Sequence, residues 1–451
     1  MKPFWRKCPS VSYRREPFGG MLFHRKRGIT LELDREAYRL FELCDGSVSE
    51  VGVKAVLEEE FGRAVRDGAF ERVRNRLMAL GMILASSEPA VEGERVPSAG
   101  WPNGTHLTAP ETVHWAVTVR CDLNCRYCYV QRGRVKDEMG WEDVRRFIDV
   151  LRGMGVFQLA IGGGEPFLRL DLPEIVAYTY EQGLVPNVTT NRLHLSERIL
   201  RGIKGKIGRV QISFDMEEAL DRDRGKGVYR EVYAGIQRVR SEGIPFGINL
   251  LLTRHTIGRV EERIAFFAHL GACQVTILRP KPSALDTAWC MEAMPTPEQY
   301  RDLKGKLDEL VRRFPHIAIH VDCALSFLMG DVPPRRLAQR GVYGCSAGER
   351  FLVVLPNGDV YPCSHDVDAE HRVGNVLRDD FAALWKESEV LNEFRAFRDH
   401  PAFLRTTCGR CQVKRACGGC RVLAERTTDD FYGADEGCFY SIGYTERNSD
   451  L

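Results

Sequence analysis

The sequence predicts an α/β protein built around a partial (β/α)6 barrel, with a winged-helix-like α+β domain before the barrel and a cysteine-rich domain after it. Three observations support this fold class. Short β-rich runs alternate with amphipathic helical patterns between residues 113 and 278, which is typical of a parallel sheet. Three strand-like runs and then three helical patterns precede residue 85. Seven of the fifteen cysteines follow residue 344.

Composition narrows the class of protein. The 451 residues allow about two to four domains. A net charge of +2 argues against a nucleic-acid partner. No run of about 20 apolar residues predicts a membrane span, and no signal peptide follows Met1–Lys7, so we expect a cytoplasmic protein. Cytosolic thiols stay reduced, so fifteen cysteines indicate metal or iron–sulfur binding rather than disulfides.

Residues 1–85 are predicted to form the first domain. Its strands are expected at Ser12–Glu16, Gly20–Phe23 and Ile29–Leu33, and its helices at Arg35–Cys44, Ser47–Phe61 and Phe70–Leu80. Asp34 is a suitable N-cap for the first helix, and the third places Phe70, Val73, Leu77 and Leu80 on one face. Residues 86–112 are rich in proline and glycine, which predicts a linker.

The barrel is predicted over residues 113–325. Its six strands are expected at Val113–Val119, Phe157–Ile161, Val185–Thr190, Val210–Phe214, Phe246–Leu252 and Gln274–Leu278, fewer than the eight of a complete barrel. Thr296 caps a further helix that ends near Phe314. The last domain, residues 326–451, contains a β-hairpin around Asn357-Gly358.

Three cysteines, Cys121, Cys125 and Cys128, follow the first barrel strand, where α/β active sites form. Three thiolates leave one iron of a cubane cluster without a protein ligand, which suits catalysis. The alternatives are a zinc knuckle or buried thiols. The spacing, with an aromatic residue before the last cysteine, resembles the signature of the radical S-adenosylmethionine (SAM) enzymes. This resemblance implies a [4Fe–4S] cluster that binds SAM and cleaves it to a 5′-deoxyadenosyl radical, with Tyr127 near the adenine.

Further motifs occur in the order of that family. Gly163-Gly164-Glu165-Pro166 resembles its "GGEP" turn, in which Glu165 is expected to accept from the SAM amino group. The resemblance also implies that other residues contact SAM: Asn191 at the ribose, Ser213 and Arg224 at the carboxylate or ribose, and Leu278 at the adenine. Taken alone, each has an ordinary structural explanation, such as a bland turn, a strand hydroxyl, a surface ion pair or a core leucine.

The C-terminal cysteines resemble the SPASM domain, which binds two auxiliary [4Fe–4S] clusters. The resemblance implies that Cys345, Cys363 and Cys420 hold the first cluster. It assigns Cys408, Cys411, Cys417 and Cys438 to the second. The family pattern usually has three residues between Cys417 and Cys420, whereas this chain has two. Three ligands predict an open iron in the first cluster for a substrate thiolate, unless Cys323 closes it. A four-thiolate zinc ribbon is the alternative.

The first domain resembles a PqqD-like element, which binds the leader of a precursor peptide as an added strand. The pieces involved would be Ile29–Leu33 and Phe70–Leu80, and Arg25-Lys26-Arg27 could attract an acidic leader. A winged-helix nucleic-acid module or another docking domain is the alternative.

The combined resemblance, to a sactisynthase- or ranthipeptide-synthase-like maturase, implies a radical SAM oxidoreductase that crosslinks a ribosomally made peptide. It would use SAM, three [4Fe–4S] clusters and an electron donor such as flavodoxin or ferredoxin. A thioether is the favoured product, and a carbon–carbon crosslink is the alternative. A sulfatase-maturing enzyme is disfavoured because Ser364 and His365, rather than an aspartate, follow Cys363. The non-enzyme alternatives are an iron–sulfur electron carrier and a zinc scaffold.

Overall fold

The structure is a computed structural model that describes residues 4–88, 100–130, 135, 137–191, 195–282, 287–329 and 344–440. The chain divides into two compact units, residues 1–109 and 110–451. None of the helices in these described ranges is both long and apolar enough to cross a membrane.

The first unit contains two three-stranded antiparallel sheets and three helices. One sheet has the order β2-β3-β4 and the other β5-β1-β6. The strands are β1 (Phe4–Lys7), β2 (Val11–Glu16), β3 (Gly19–His24), β4 (Ile29–Asp34), β5 (Asp45–Ser49) and β6 (Ile83–Ser86), and the helices are α1 (Arg35–Glu42), α2 (Glu50–Phe61) and α3 (Asp67–Ala79). The predicted strands correspond to β2, β3 and β4. The second sheet was not predicted. Its strands β1, β5 and β6 are short, and their sequences lack an alternating apolar and polar pattern.

The first unit has its own apolar core. Phe70 and Leu77 of α3 are buried in it, and Val73 and Leu80 pack against it, as their helical spacing predicts. Asp34 caps α1 by accepting from the Ala37 amide. Part of the predicted linker also belongs here, because residues 100–109 include Trp101, which packs on the same core. Residues 89–99 of that linker lie outside the described residues.

The second unit is built on one ten-stranded sheet with the order β13-β12-β11-β10-β9-β8-β7-β14-β15-β16. Neighbouring strands from β13 through β14 are parallel, and the last two pairs are antiparallel. The strands are β7 (Thr112–Thr118), β8 (Gln158–Gly163), β9 (Val185–Thr190), β10 (Arg209–Ser213), β11 (Phe246–Leu251), β12 (Gln274–Leu278), β13 (Ala318–Val321), β14 (Phe351–Val354), β15 (Asp359–Tyr361) and β16 (Gly374–Asn375).

Helices follow most strands of the parallel sheet, which confirms the predicted α/β alternation. They are α4 (Trp141–Met154), α5 (Leu172–Glu181), α6 (Glu197–Ile203), α7 (Glu217–Arg224), α8 (Val228–Ser241), α9 (Val260–Leu270), α10 (Thr287–Ala293) and α11 (Pro297–Arg313). The C-terminal part adds α12 (Phe381–Glu387), α13 (Glu389–Ala396), α14 (Pro401–Leu404), α15 (Thr407–Arg410) and α16 (Arg421–Thr428). Short 3-10 turns occur at 166–168, 257–259, 323–329, 369–371 and 397–399.

The predicted Asn357-Gly358 hairpin joins β14 to β15. Its first strand also pairs in parallel with β7, with Phe351 opposite Thr112 and Val354 opposite Trp115. The cysteine-rich region therefore extends the barrel sheet beyond its first strand. At the other edge, β13 adds a seventh strand beyond the six that the sequence predicts.

Candidate functional site

The three-cysteine loop begins just after β7, at the carboxyl end of the parallel sheet. Gly163 ends the neighbouring β8 and Gly164 follows it, and both are required sterically. Gly163 has φ +116°, and a Cβ there would lie 2.2 Å from the Thr118 carbonyl oxygen; a Cβ on Gly164 would lie 2.1 Å from that of Arg120. The two glycines thus permit the turn to pack directly on the backbone that leads into the cysteine loop.

Glu165, the acidic residue of the glycine turn, accepts several hydrogen bonds from the protein. Its carboxylate is fully buried and accepts from the Thr190 hydroxyl at 2.9 Å, the Asn191 amide at 3.0 Å and the Phe167 amide at 3.1 Å. Through these hydrogen bonds, the Glu165 carboxylate connects the end of β9 to the glycine turn.

Arg224 ties the cysteine loop to the ends of two strands. Its Nε donates to the Tyr127 hydroxyl at 2.6 Å, and its Nη1 donates to the carbonyls of Ser213 at 2.9 Å and Asn191 at 3.4 Å. The Asn191 side-chain amide in turn donates to Cys121 Sγ at 3.3 Å. The predicted residues around the three cysteines are therefore joined in one hydrogen-bonded network.

A cavity of about 650 Å³ opens within the second unit beside this network. Five of the predicted SAM-contacting residues line it: Tyr127, Gly163, Ser213, Arg224 and Leu278. The other three predicted residues, Gly164, Glu165 and Asn191, do not line the cavity. This volume is within the range of small-molecule and peptide sites.

Polar amide side chains line part of the same cavity. Gln211 donates to the Asn249 side chain at 2.9 Å, and Asn187 donates to that of Gln158 at 3.2 Å. Burial lowers the pKa of His114, which also lines the cavity, to about 4, so this imidazole is neutral near pH 7. The cavity thus offers uncharged hydrogen-bonding groups along several strands.

Charged groups line the cavity where it meets the cysteine-rich region. Lys281 Nζ lies 2.6 Å from Asp322 Oδ2, and both side chains are largely buried. His365 stacks near Tyr129 with ring centroids 4.5 Å apart, and burial lowers its pKa to about 3. Cys363 and Cys323 also line the cavity, so it extends from the SAM-site residues to cysteines of the C-terminal region.

The C-terminal cysteines surround two smaller cavities. Cys408, Cys411, Cys417 and Cys438 line one of them, as the sequence groups them. Cys345, Cys363 and Cys420 line the other together with Cys323, so four thiols meet where the sequence grouping gives three. We call these the second and the first auxiliary cavity, respectively.

The spacing of the sulfur atoms fits a group larger than one metal ion. Zn–S bonds of about 2.3 Å would put four tetrahedral sulfurs about 3.8 Å apart. Among the described residues, the one group of three or more metal-ligand side chains within 4.8 Å of one another is Asp366, His371 and Glu425, which contains no cysteine. No three described cysteine sulfurs are therefore as close together as the ligands of a single zinc ion would be.

Backbone amides point at sulfur atoms in the second auxiliary cavity. The amides of Asp435, Gly419 and Tyr440 donate to the Sγ atoms of Cys408, Cys417 and Cys438 at 3.3–3.4 Å. Gly418 and Gly419 have φ of +75° and +71°, which shapes the two-residue spacing before Cys420. Amide hydrogen bonds to sulfur are a means by which proteins tune cluster potentials.

A buried ion pair lies between the barrel and both auxiliary cavities. Arg279 follows β12 and donates to both carboxylate oxygens of Asp435, at 2.9 and 3.1 Å. Asp435 also accepts from the Cys420 amide at 2.8 Å and lines the second auxiliary cavity. Asp435 therefore connects a cysteine of the first set to the wall around the second.

Several residues of the site carry no motif that sequence reasoning can use. Cys323, Asp322 and Lys281 are far apart from the C-terminal cysteines along the chain and meet them only in the fold. Trp289 stacks on Tyr127 with centroids 5.4 Å apart. Cys323 is the exception, because the sequence assigns the first cluster only three cysteines and offers this upstream cysteine as a fourth.

Comparisons with known proteins agree with this geometry. A model described as the radical SAM superfamily matches residues 115–267, and one described as an iron–sulfur cluster-binding domain, SPASM, matches residues 345–412. Mycofactocin maturase MftC of Mycolicibacterium smegmatis is 30% identical over 75% of this chain and 84% of that protein. An AdoMet-dependent heme synthase of Methanosarcina barkeri is 26% identical over 74% of this chain and 98% of that protein.

The fold is similar to that of a solved structure along most of the chain. SuiB of Streptococcus suis bound to S-adenosylmethionine has a TM-score of 0.71 at 17% identity, covering 96% of this chain and 99% of that one. SuiB bound to its precursor peptide SuiA has a TM-score of 0.70 at 16% identity, with the same coverage. Fold and cysteine sets together define a SAM-dependent iron–sulfur enzyme. The chain belongs to the radical SAM enzymes with a C-terminal SPASM domain, the family of the mycofactocin maturases.

Proposed function

We propose that this enzyme is a maturase that installs a crosslink in a ribosomally made peptide. The observation that carries the proposal is the cavity of about 650 Å³, which is lined both by the predicted SAM-contacting residues and by cysteines of the first auxiliary cavity. When bound, SAM and the catalytic cluster supply the radical that abstracts hydrogen from the substrate. The cavity walls hold that substrate and exclude competing reactions.

The lining of the cavity supports a peptide as the substrate. Side-chain amides from β8 to β11 present donors and acceptors of the kind that pair with a peptide backbone. MftC is named as a maturase, and SuiB is described with a precursor peptide bound.

We further propose, with the PqqD-like assignment of residues 1–85, that the first unit binds the leader. In the described residues β4 is an edge strand of its sheet. Arg27 precedes β4 and donates to the Ala79 carbonyl at the end of α3, while Ile29, Val73 and Leu80 pack against one core. An added strand would thus pair with β4 beside α3. Lys26 is exposed nearby and would favour an acidic leader.

The proposed cofactors are SAM and three [4Fe–4S] clusters. Cys121, Cys125 and Cys128 would hold the catalytic one, and the cysteines of the two auxiliary cavities would hold the others. All fifteen cysteines are free thiols, which supports a reducing, cytoplasmic compartment. A flavodoxin or ferredoxin would supply the electrons.

The product class depends on the substrate. The preference for a thioether depended on an open iron in the first auxiliary cluster. Four thiols line the first auxiliary cavity, which removes that support. Thioether and carbon–carbon crosslinks both cost the peptide one pair of hydrogens, but only the thioether consumes a cysteine thiol. Alkylation of the product with iodoacetamide separates them, because a thioether product accepts one label fewer per crosslink than the unmodified peptide.

The proposal is tested with a candidate precursor peptide, such as the product of a short reading frame found next to this chain's gene. Anaerobically reconstituted, reduced enzyme should contain about twelve irons, cleave SAM to 5′-deoxyadenosine, and lower the peptide mass by one pair of hydrogens per crosslink. Cys121→Ala should reduce both reactions to background, whereas Cys273→Ala, at an exposed cysteine, should retain them. SAM cleavage that survives Cys121→Ala would reject the assignment, as would a peptide of unchanged mass.

Leader binding has its own test. Adding the peptide to the full chain should slow hydrogen–deuterium exchange along β4, because the added strand would cover the edge of β4 that faces away from β3. The matched control is β2, the other edge strand of the same sheet. Protection at β2 instead of β4, or none in the first unit, would contradict this binding mode.

A further inference from the structure

The large cavity extends along β10 from the predicted SAM-contacting residue Ser213, which ends the strand, to Arg209, which begins it. Because a strand advances about 3.3 Å per residue, these two positions are about 13 Å apart. We propose that Arg209 binds a carboxylate of the core peptide, the part that is modified, and so selects which peptide residue lies beside Ser213. This inference rests on the proposed function and names the substrate chemistry that the cavity recognises.

Arg209 differs in its partners from the other cationic side chains along the cavity. Two of those side chains form buried ion pairs, Arg279 with Asp435 and Lys281 with Asp322. Arg209 instead donates from Nη1 to the neutral side chain of Gln274 at 2.8 Å, and no carboxylate among the described residues forms an ion pair with it. Burial therefore lowers the pKa of the Arg209 guanidinium. An incoming anion would compensate this charge.

An unpaired hydrogen-bond acceptor lies two residues further along the same strand. Gln211 is 8% exposed, and its side-chain amide donates to the Asn249 side chain at 2.9 Å. Its Oε1 atom is buried and accepts no hydrogen bond from the part of the chain that the structure describes. Arg209 and Gln211 both line the cavity, since alternate residues of a strand share a face. A peptide N–H can supply the donor that Gln211 lacks.

The neighbouring strand β11 leaves space for both side chains. Gly247 pairs in register with Gln211. A Cβ at Gly247 would lie 2.4 Å from Gln211 Oε1 and 3.2 Å from Arg209 Cδ. The glycine therefore permits the observed positions of the guanidinium and the unpaired acceptor, which together form one polar subsite at this end of the cavity.

This subsite selects an acidic group near the modified residue. A guanidinium can bind a carboxylate through two parallel hydrogen bonds, which neutral side chains cannot match. The carboxylate can come from the C-terminus of the peptide or from an Asp or Glu side chain, because both present the same group. About four residues of an extended peptide span the distance along β10. The residue that loses hydrogen should therefore lie about four residues from the bound carboxylate.

The test compares three forms of the candidate precursor peptide with the full, reconstituted enzyme. One form is unchanged, one has a C-terminal amide, and one has Asn or Gln in place of each Asp and Glu of its core. Removing the bound carboxylate should lower kcat/KM about tenfold to hundredfold, and the form affected identifies the source of that carboxylate. Arg209→Gln and Arg209→Met should be slow with the unchanged peptide and should not distinguish it from that form. Arg209→Lys, which keeps the charge, should recover part of the difference.

Arg312→Gln, at an exposed arginine of α11, is the control and should distinguish the peptides as the unaltered enzyme does. Iron content equal to that of the unaltered enzyme shows which Arg209 variants have folded. Equal kcat/KM for all three peptides in the unaltered enzyme would overturn the proposal and leave the proposed function intact. Discrimination that persists in a folded Arg209→Gln or Arg209→Met protein would also overturn it. An unaltered enzyme that changes the mass of no peptide would reject the proposed function, and this inference with it.

Discussion

The two auxiliary cavities each contain four cysteines, but the chain assembles them in different ways. All four cysteines of the second cavity come from one stretch of the chain, from Cys408 to Cys438. Three of their sulfur atoms accept hydrogen bonds from backbone amides. The first collects Cys323, Cys345, Cys363 and Cys420 from separate elements and adjoins the large cavity. Local backbone thus shapes the second cavity, whereas tertiary structure shapes the first. Substitutions can test this distinction by affecting one cavity, the other or both.

The largest effect is expected at Asp435, which affects both cavities. Asp435→Asn removes the charge that compensates buried Arg279, and breaking such a pair costs about 3–5 kcal/mol. Chemical denaturation should show this loss in the free energy of unfolding, and iron should fall in both auxiliary sites. Asp430→Asn, at an exposed aspartate, is the control. Equal stability of the two variants would show that the pair does not join the cavities.

Gly419→Ala is expected to affect the second cavity more than the first. Gly419 has φ +71°, and an added Cβ would lie 2.8 Å from Asp435 Cβ and 3.3 Å from Cys408 Sγ. We expect a destabilisation of about 1–3 kcal/mol and selective loss of the second cluster from the EPR spectrum. Gly62→Ala is the matched control, because Gly62 has φ +63° with no atom within 4 Å of the new Cβ. Iron loss in both variants would point to general instability.

A pH effect is expected beside the first cavity. The Asp366 carboxylate accepts a hydrogen bond from His371 Nδ1 at 2.8 Å, which raises the pKa of His371 to about 8. Because the folded pKa exceeds the unfolded value of about 6.5, this stability is fully present below pH 6.5 and is lost as pH rises through 8. Burial raises the pKa of neighbouring Glu425 to about 7, which also lowers stability as pH rises.

The measurement is the free energy of unfolding between pH 6 and 9. It should fall by about 2 kcal/mol through the His371 contribution, and His371→Gln should flatten the curve. His316→Gln, at an exposed histidine, is the control and should keep the slope. An unchanged slope in His371→Gln would contradict the role of the Asp366 contact.

The smallest effect is expected at Thr406, the N-cap of the short helix α15 that carries Cys408. Its hydroxyl accepts from the Gly409 amide at 3.1 Å, so Thr406→Ala should cost about 1 kcal/mol. A small change in the EPR signal of the second cluster should accompany it. Ser388→Ala removes a similar cap from α13, outside that cavity, and should cost as much without changing the signal. Identical spectra for the two variants would argue against local shaping.

The same contrast explains how far the sequence predicts the structure. The six barrel strands lie within two residues of their predicted bounds, since their β-rich runs are interrupted by helical patterns and glycines. The grouping of Cys408, Cys411, Cys417 and Cys438 was also predictable from a family pattern that is local in the chain. Local patterns therefore gave the elements and the second cavity.

Contacts between distant residues were not predictable in this way. Cys323 joins the first cavity through a strand that has four residues and no clear periodicity. Glu165 accepts from Thr190 and Asn191, which lie 25 and 26 residues further along the chain. The second sheet of the first unit unites β1, β5 and β6 from both ends of that unit. Each of these contacts joins residues that are distant in the chain, and no local sequence pattern indicates which distant residues will meet.

The parallel pairing of β14 with β7 has a consequence for dissecting this enzyme. A fragment ending before residue 344 would lack β14 and leave one side of β7 without a partner strand. Exposed edges of this kind promote aggregation, and β7 contains the apolar residues Val113, Trp115 and Val117. The radical SAM portion is therefore a poor candidate for separate expression or for exchange between maturases as a modular cassette.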